Sequence, residues 1–126
     1  MDTPQAPLAA LDVVLCRAGV WPVGIEAGQI GGSRRCEPAD AATPALAALL
    51  DLPGGDSGDR QVLALKASGG EIRVAGPVEL RALPAACIHP LPPLLAARCR
   101  LPGLRAVALE HGRLVLLIDL SDLPPR

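Results

Sequence analysis

Leu104-Arg105-Ala106-Val107-Ala108-Leu109-Glu110, then His111-Gly112, then Arg113-Leu114-Val115-Leu116-Leu117-Ile118-Asp119-Leu120 is the stretch around which the chain has to be arranged. Two β-prone runs flank a polar dipeptide ending in glycine, the local pattern of a hairpin whose turn needs positive φ. The second run is apolar on both faces from Leu114 to Ile118. A strand solvated on one face alternates, so this run predicts a buried central strand.

The rest of the chain must cover that strand with few large side chains. Half of the 126 residues are hydrophobic, yet there is one tryptophan and no phenylalanine or tyrosine. The core is therefore built from Leu, Val, Ile and Ala, in one domain or two small lobes sharing a core. Fourteen prolines and thirteen glycines forbid long helices and favour short strands joined by turns, so the fold class read from composition is all-β. The scarcity of aromatic rings argues against single-stranded nucleic acid, which stacks its bases on them. A formal charge of −1 offers no phosphate-binding surface either. The four cysteines form no C-x-x-C pair, and the amino terminus lacks the basic start and apolar run of a secretory signal. The longest uncharged runs, such as Ala41 to Leu50, are too short to span a bilayer. The expectation is a soluble cytoplasmic protein with reduced thiols.

Working outward, Leu11 to Arg17 reads as a strand, Ala18-Gly19 as its turn and Val20 to Val23 as the return, with Trp21 plugging the first lobe. Ile25 to Ile30 is expected to make one helical turn stopped by Gly31-Gly32, and Ser33 to Pro38 to be a polar loop. Thr43 as N-cap and Pro44 at the first position open a short helix from Ala45 to Leu50, with Leu46, Leu49 and Leu50 facing inward. Leu52 to Asp59 is a loop. Gln61 to Ala67 and Glu71 to Val74 form a hairpin about Ser68-Gly69-Gly70, and Val78 to Leu83 is a separate strand ended by Pro84. Ala85 to Pro93 is extended because each residue before a proline avoids the helical region. Leu94 to Arg98 is a brief helical turn, and Ser121 to Leu123 a short tail.

Two of these segments resemble CheW-like domains, the scaffolding adaptors of bacterial chemosensory arrays. Leu104 to Ala108 followed by His111 to Leu120 is similar to the family's closing "I-R-G-V-A … D-G-R-L-V-L-L-L-D-L". Val74 to Pro92 is similar, without a gap, to "V-D-E-V-x-G-V-V-E-I-P-x-x-A-I-E-P-L-P", with Pro84, Ile88 and Pro90-Leu91-Pro92 in place. The opening from Leu11 to Ile30 resembles "F-x-L-G-x-x-x-Y-A-L-P-V-x-x-V-x-E-I" more loosely, with Trp21 at the aromatic position. Three departures accompany the match. The interval Gly31 to Thr43 is too short for the two further strands and the "N-L-R-G" turn that the family carries before its helix. Ala75 replaces the acidic residue of "V-D-E-V". Ile30-Gly31-Gly32 stands where a glutamate is usual.

The resemblance implies two SH3-like β-barrel lobes, the first truncated, with short helical turns. They divide a single CheW-like domain over 1–126 into a first lobe of about 11–60, a second of about 61–110, and a strand at 113–120 returning to the shared core. It implies a non-catalytic adaptor without cofactors that binds the cytoplasmic tip of a methyl-accepting chemoreceptor. Its further partners are another CheW-like adaptor or a CheA-type histidine kinase, with kinase docking weakened by the missing strands. Short divergent members of this kind accompany a normal adaptor in the Frz-type pathway that controls gliding reversals. For the receptor groove the resemblance implies Ile25, Gly28, Gln29 and Ile30 from the first lobe, of which Gly28 to Ile30 follow the family's contact helix position by position, and Leu101 and Leu104 join it by their closeness to the lobe junction. An alternative is a competitor or spacer that binds only CheW-like partners.

Readings from other classes have less in the sequence to carry them. Ser33, Ser57, Ser68 and Ser121 sit in no nucleophile-elbow pattern and are more simply turn or cap residues. Cys87, His89 and Cys99 supply thiolates and an imidazole for zinc, as a small metal-binding domain would, but the spacing is nonstandard and a fourth ligand is missing. Asp56 and Asp59 are too few hard ligands for calcium. Arg34-Arg35 and the series Arg98, Arg100, Arg105 would form a basic rim for an acidic partner, or an ordinary solvated surface.

Overall fold

The computed structural model describes residues 10–52, 59–94 and 103–122. Its strands are β1 (Ala10–Ala18), β2 (Trp21–Glu26), β3 (Ile30–Arg35), β4 (Asp59–Leu65), β5 (Glu71–Pro84), β6 (Ile88–Pro90), β7 (Leu104–Glu110) and β8 (Arg113–Ile118). The described residues also hold a four-residue helix, α1 (Leu46–Leu49), and short 3-10 turns at Ala27–Gln29, Pro38–Ala42, Ala85–Cys87 and Leu120–Asp122. The strands form one eight-stranded sheet in the order β3-β4-β5-β1-β2-β8-β7-β6. The fold is all-β, of the type with two SH3-like lobes.

The β7–β8 hairpin turns through His111 and Gly112, both at positive φ (52° and 77°), which is the two-residue turn whose twist suits paired strands. β8 is central. It pairs antiparallel with β7 and in parallel with β2, matching Val23 with Leu116 and Ile25 with Ile118. Val115 to Ile118 are buried, whereas Leu114 at the start of the strand is 46% exposed, outside the predicted burial.

Burial on both faces has a simple origin in the alternation of side chains along a strand. From β8, Leu116 and Ile118 enter one core while Val115 and Leu117 enter another. β1 divides in the same way, with Val14, Cys16 and Ala18 in the first core and Val13 in the second. β5 serves both in sequence: Ile72 and Val74 pack in the first, and Leu83, after the strand has crossed from β4 to β1, packs in the second. Val23 and Ile25 of β2 join the first core, and Gly24 between them faces Leu117, whose Cδ2 would lie 2.8 Å from an added Cβ. α1 closes the first core with Leu46, Leu49 and Leu50, as their spacing predicted.

Several local expectations are corrected. Ser33-Arg34-Arg35 is strand, because β3 pairs along β4 through Ile30, Gly32 and Ser33 to Arg35, with an irregularity between Ile30 and Gly32. The helical turn before it shrinks to Ala27–Gln29, since Ile25 and Glu26 stay in β2. Val78 to Leu83 is no separate strand but the second half of β5. Trp21 is 39% exposed and plugs no lobe: it lies beside the β1–β2 turn, and leucines from α1 fill the core instead. Thr43 does not cap α1, whose N-cap is Ala45. Pro38 starts its own 3-10 turn, after which Thr43 and Pro44 run beside β5, their carbonyls accepting from Arg73 Nε (2.6 Å) and Arg73 N (2.8 Å).

That 3-10 turn is fixed by charge. Asp40, buried at 5% exposure, accepts Arg34 Nη1 (2.8 Å) and Nη2 (2.7 Å) in a two-point pair and takes the Glu37 amide at 2.8 Å. Arg34 also reaches Glu71 at 3.0 Å. The guanidinium holds the Asp40 carboxyl far below the usual carboxylate range, and the carboxylates in turn raise Arg34. Arg34 thus belongs to an internal network rather than to an open basic rim.

Candidate partner-binding groove

On its outer side the second core borders a groove. Leu11, Val13, Ala106, Leu117 and Ile88 form the floor of a groove of about 220 Å³, with Glu26, Gln29, Arg105 and Asp119 on its rim. An apolar floor with a few fixed polar groups is the usual character of a binding cleft.

The rim is held by a compact set of hydrogen bonds. Gln29, at the end of the Ala27–Gln29 turn, donates Nε2 to Asp119 Oδ1 at 2.7 Å, and its Oε1 accepts the Leu120 amide at 3.0 Å. Asp119 Oδ1 also accepts the Ser121 amide at 2.9 Å and the Ser121 hydroxyl. Asp119 Oδ2 faces Arg105 Nη2 at 3.4 Å. With the Ser121 hydroxyl and the Gln29 amide favouring its charged form, the Asp119 carboxyl is lowered to about 2. Beneath this, the Asp119 amide donates to the Gly103 carbonyl at 2.8 Å. Gly103 sits at φ +76°, and an added Cβ would meet the Asp119 carbonyl oxygen at 2.7 Å. Only glycine allows that approach. One amide side chain therefore ties the end of β8 to the turn after β2, across ninety residues of sequence.

The residues expected in a receptor groove are distributed unevenly about this site. Gln29 is on the rim. Gly28 beside it is exposed, with no atom within 4 Å of an added Cβ. Leu104 is half-buried and packs against the first core, one residue from Arg105. Ile25 is wholly buried in the first core and does not line the groove. Ile30 packs against the same core and lines a different cavity. Leu101 lies outside the described residues, as do Cys99, Arg98, Arg100 and Asp56. Sequence reasoning missed Glu26, Ile88 and Asp119 as rim and floor. The signal for Asp119 was its place as the one acid directly after the apolar run of β8.

Among the described residues no three His, Cys, Asp or Glu side chains are placed to hold a metal ion, and no helix is long and apolar enough to cross a membrane.

No protein-family model matches the sequence, and no curated protein matches it. Among solved structures, the chain is similar to the scaffolding protein TtCheW from Thermoanaerobacter tengcongensis, with a TM-score of 0.62 over 86% of this chain and 88% of that one, at 13% identity. The sheet is thus arranged in the fold of that scaffolding protein.

Proposed function

We propose that this chain is a non-catalytic, cytoplasmic adaptor of CheW type that docks the helical tip of a methyl-accepting chemoreceptor in the groove beside Gln29 and binds a second CheW-like protein. The observation that carries this reading is the CheW fold over nearly the whole chain, coupled to the two ordered sequence matches at Val74 to Pro92 and Leu104 to Leu120. The groove suits a helical ridge, because an apolar floor accepts its side chains while the fixed amide and carboxylate of Gln29 and Asp119 set its register. Of the expected contact residues, Gly28, Gln29 and Leu104 act directly, while Ile25 and Ile30 act through the packing that holds the Ala27–Gln29 turn. No cofactor takes part. Kinase docking is weakened, since a single strand, β3, stands where the resemblance implies two more, and the chain serves as a short accessory member of a Frz-type gliding pathway.

The test is a pull-down with two purified baits, a chemoreceptor cytoplasmic region and the CheW-like regulatory domain of a CheA-type kinase. Receptor binding that is lost in Gly28→Trp, at an unchanged melting temperature, is the expected result. Gly28 has open space around it, so the bulk obstructs the groove without entering a core. Receptor binding unaffected by the tryptophan would remove the groove from the reading. Capture by the kinase domain alone would make the chain a competitor for CheW-like partners instead.

A further inference from the structure

β3 is the last strand on its side of the sheet: it pairs with β4, and among the described residues nothing pairs with its other edge. Gly31 to Arg35 are all exposed. The direction of the open backbone groups follows from the ladder. The Cys36 amide donates to the Arg60 carbonyl at 2.8 Å, which makes Cys36–Arg60 a hydrogen-bonded pair. Such pairs alternate along an antiparallel ladder, so Arg34 and Gly32 aim their backbone groups at β4 while Ser33 and Arg35 aim theirs outward. The Arg35 carbonyl is taken by Arg34 Nη1 at 3.4 Å, which leaves the Ser33 amide and carbonyl and the Arg35 amide as the open groups of this strand edge.

Beside that edge lies a second cavity, of about 280 Å³. Ile30, Gly31, Gly32 and Ser33 form one side and Val78, Glu79 and Leu80 of β5 the other, over Val14 and Leu63. Leu80 stands 73% exposed at its mouth. Ser33 pairs with Leu63, a residue of the first core, so the side chain of anything placed opposite Ser33 on the open edge faces this cavity, with Val14 and Leu63 as its apolar floor. Arg35, two positions on, shares that face. Other charges nearby are already engaged: Arg34 with Asp40 and Glu71, and Glu79 with Arg81 at 2.8 Å. Glu37 lies past the end of the strand. Along the edge itself the exposed charge is positive.

We propose that β3 is a docking edge for an extended acidic segment of a partner protein, which adds as a further strand with an apolar side chain opposite Ser33 in the cavity and a carboxylate two residues away opposite Arg35. Backbone pairing supplies the affinity, and the two-residue spacing supplies the selectivity, because only residues of equal parity share a face. This site is separate from the groove at Gln29 and stands or falls independently of receptor binding.

The probe is a fluorescein-labelled eight-residue peptide of threonines carrying leucine and glutamate two positions apart, compared by anisotropy with an isomer carrying them adjacent. The first peptide is expected to bind the full chain at least fivefold more tightly than the second and to slow amide exchange at Ser33 and Arg35. Arg35→Glu is expected to weaken it about fivefold, since an attraction becomes a repulsion at an exposed site, and to favour a peptide with lysine in place of glutamate. Ser33→Pro, which removes an outward N–H, is expected to abolish binding. That variant can disturb β3 itself, so the surface charge reversal at Arg35 decides. Equal binding of the two isomers, no response to Arg35→Glu, exchange protection elsewhere, or no binding at millimolar peptide would overturn the proposal. So would a chain that dimerises through β3 without peptide.

Discussion

The two cores share β1 and β8 and yet end differently. The first is roofed by α1, whose Leu46 and Leu50 have essentially no exposed surface, and it opens beside β3, where Val14 and Leu63 floor the second cavity. The second takes the alternate residues of the same strands, Val13, Val115 and Leu117, and its outer side is a groove rimmed by Gln29, Arg105 and Asp119. Apolar patterning of the strands is nearly equal on the two faces. What distinguishes the first core among the described residues is the four-residue helix α1, which buries Leu46 and Leu50 in it.

The largest test of that contrast compares one deletion in each core. Leu46→Ala removes a wholly buried side chain from the core beneath α1 and is expected to cost about 2–5 kcal/mol, read by urea denaturation, because it leaves an apolar hole that its neighbours only partly close. Ile88→Ala trims a half-buried side chain at the groove, where solvent takes the space, and is expected to cost about 1 kcal/mol. Equal costs would break the distinction between the two cores.

A smaller effect separates the two glycines nearest the groove. Gly103→Ala forces a side chain into left-handed backbone and against the Asp119 carbonyl, with an expected loss of about 2 kcal/mol in a thermal melt. Gly28→Ala meets nothing and is expected to stay within about 0.5 kcal/mol of the parent. If Gly103→Ala were as silent as Gly28→Ala, the rim would be looser than its hydrogen bonds describe.

These contrasts also mark what the residues reveal by themselves. The hairpin about His111-Gly112 and the burial of β8 were legible because turn chemistry and apolar runs are local signals, read over a few residues. So was the inward face of α1. The strand nature of Ser33 to Arg35 was hidden, because two glycines, a serine and two arginines carry no apolar alternation: their pairing is dictated by β4, and their charge by the buried Asp40. Trp21 misled for the opposite reason, since its size argues for a core while its place beside the Gly19 turn puts it beyond the end of one. The groove rim was the least visible part. Gln29 and Asp119 are far apart in sequence and meet only once β2 and β8 lie parallel. A family pattern could point to Gln29, but no local rule could join it to Asp119.

The smallest effect is one of pH, and it bears on the groove alone. Asp119 has its carboxyl lowered from the ordinary 3.8 to about 2, chiefly by the Ser121 hydroxyl and then by the Gln29 amide. A folded-state value below the unfolded one adds stability that is fully present above about pH 4 and is lost as the pH falls toward 2, when protonation discards those hydrogen bonds. The contribution is expected to be about 1 kcal/mol, less than the full linkage because the carboxylate is open to water. Denaturation midpoints from pH 6 down to pH 2 should therefore fall more steeply for the parent than for Asp119→Asn, which cannot titrate. The Asp40 carboxyl, held still lower by Arg34, contributes to both proteins and cancels in the difference. Parallel acid limbs would mean that the rim of the groove is not held by the charge on Asp119, and that Gln29 and Gly103 alone fix the end of β8 against the turn.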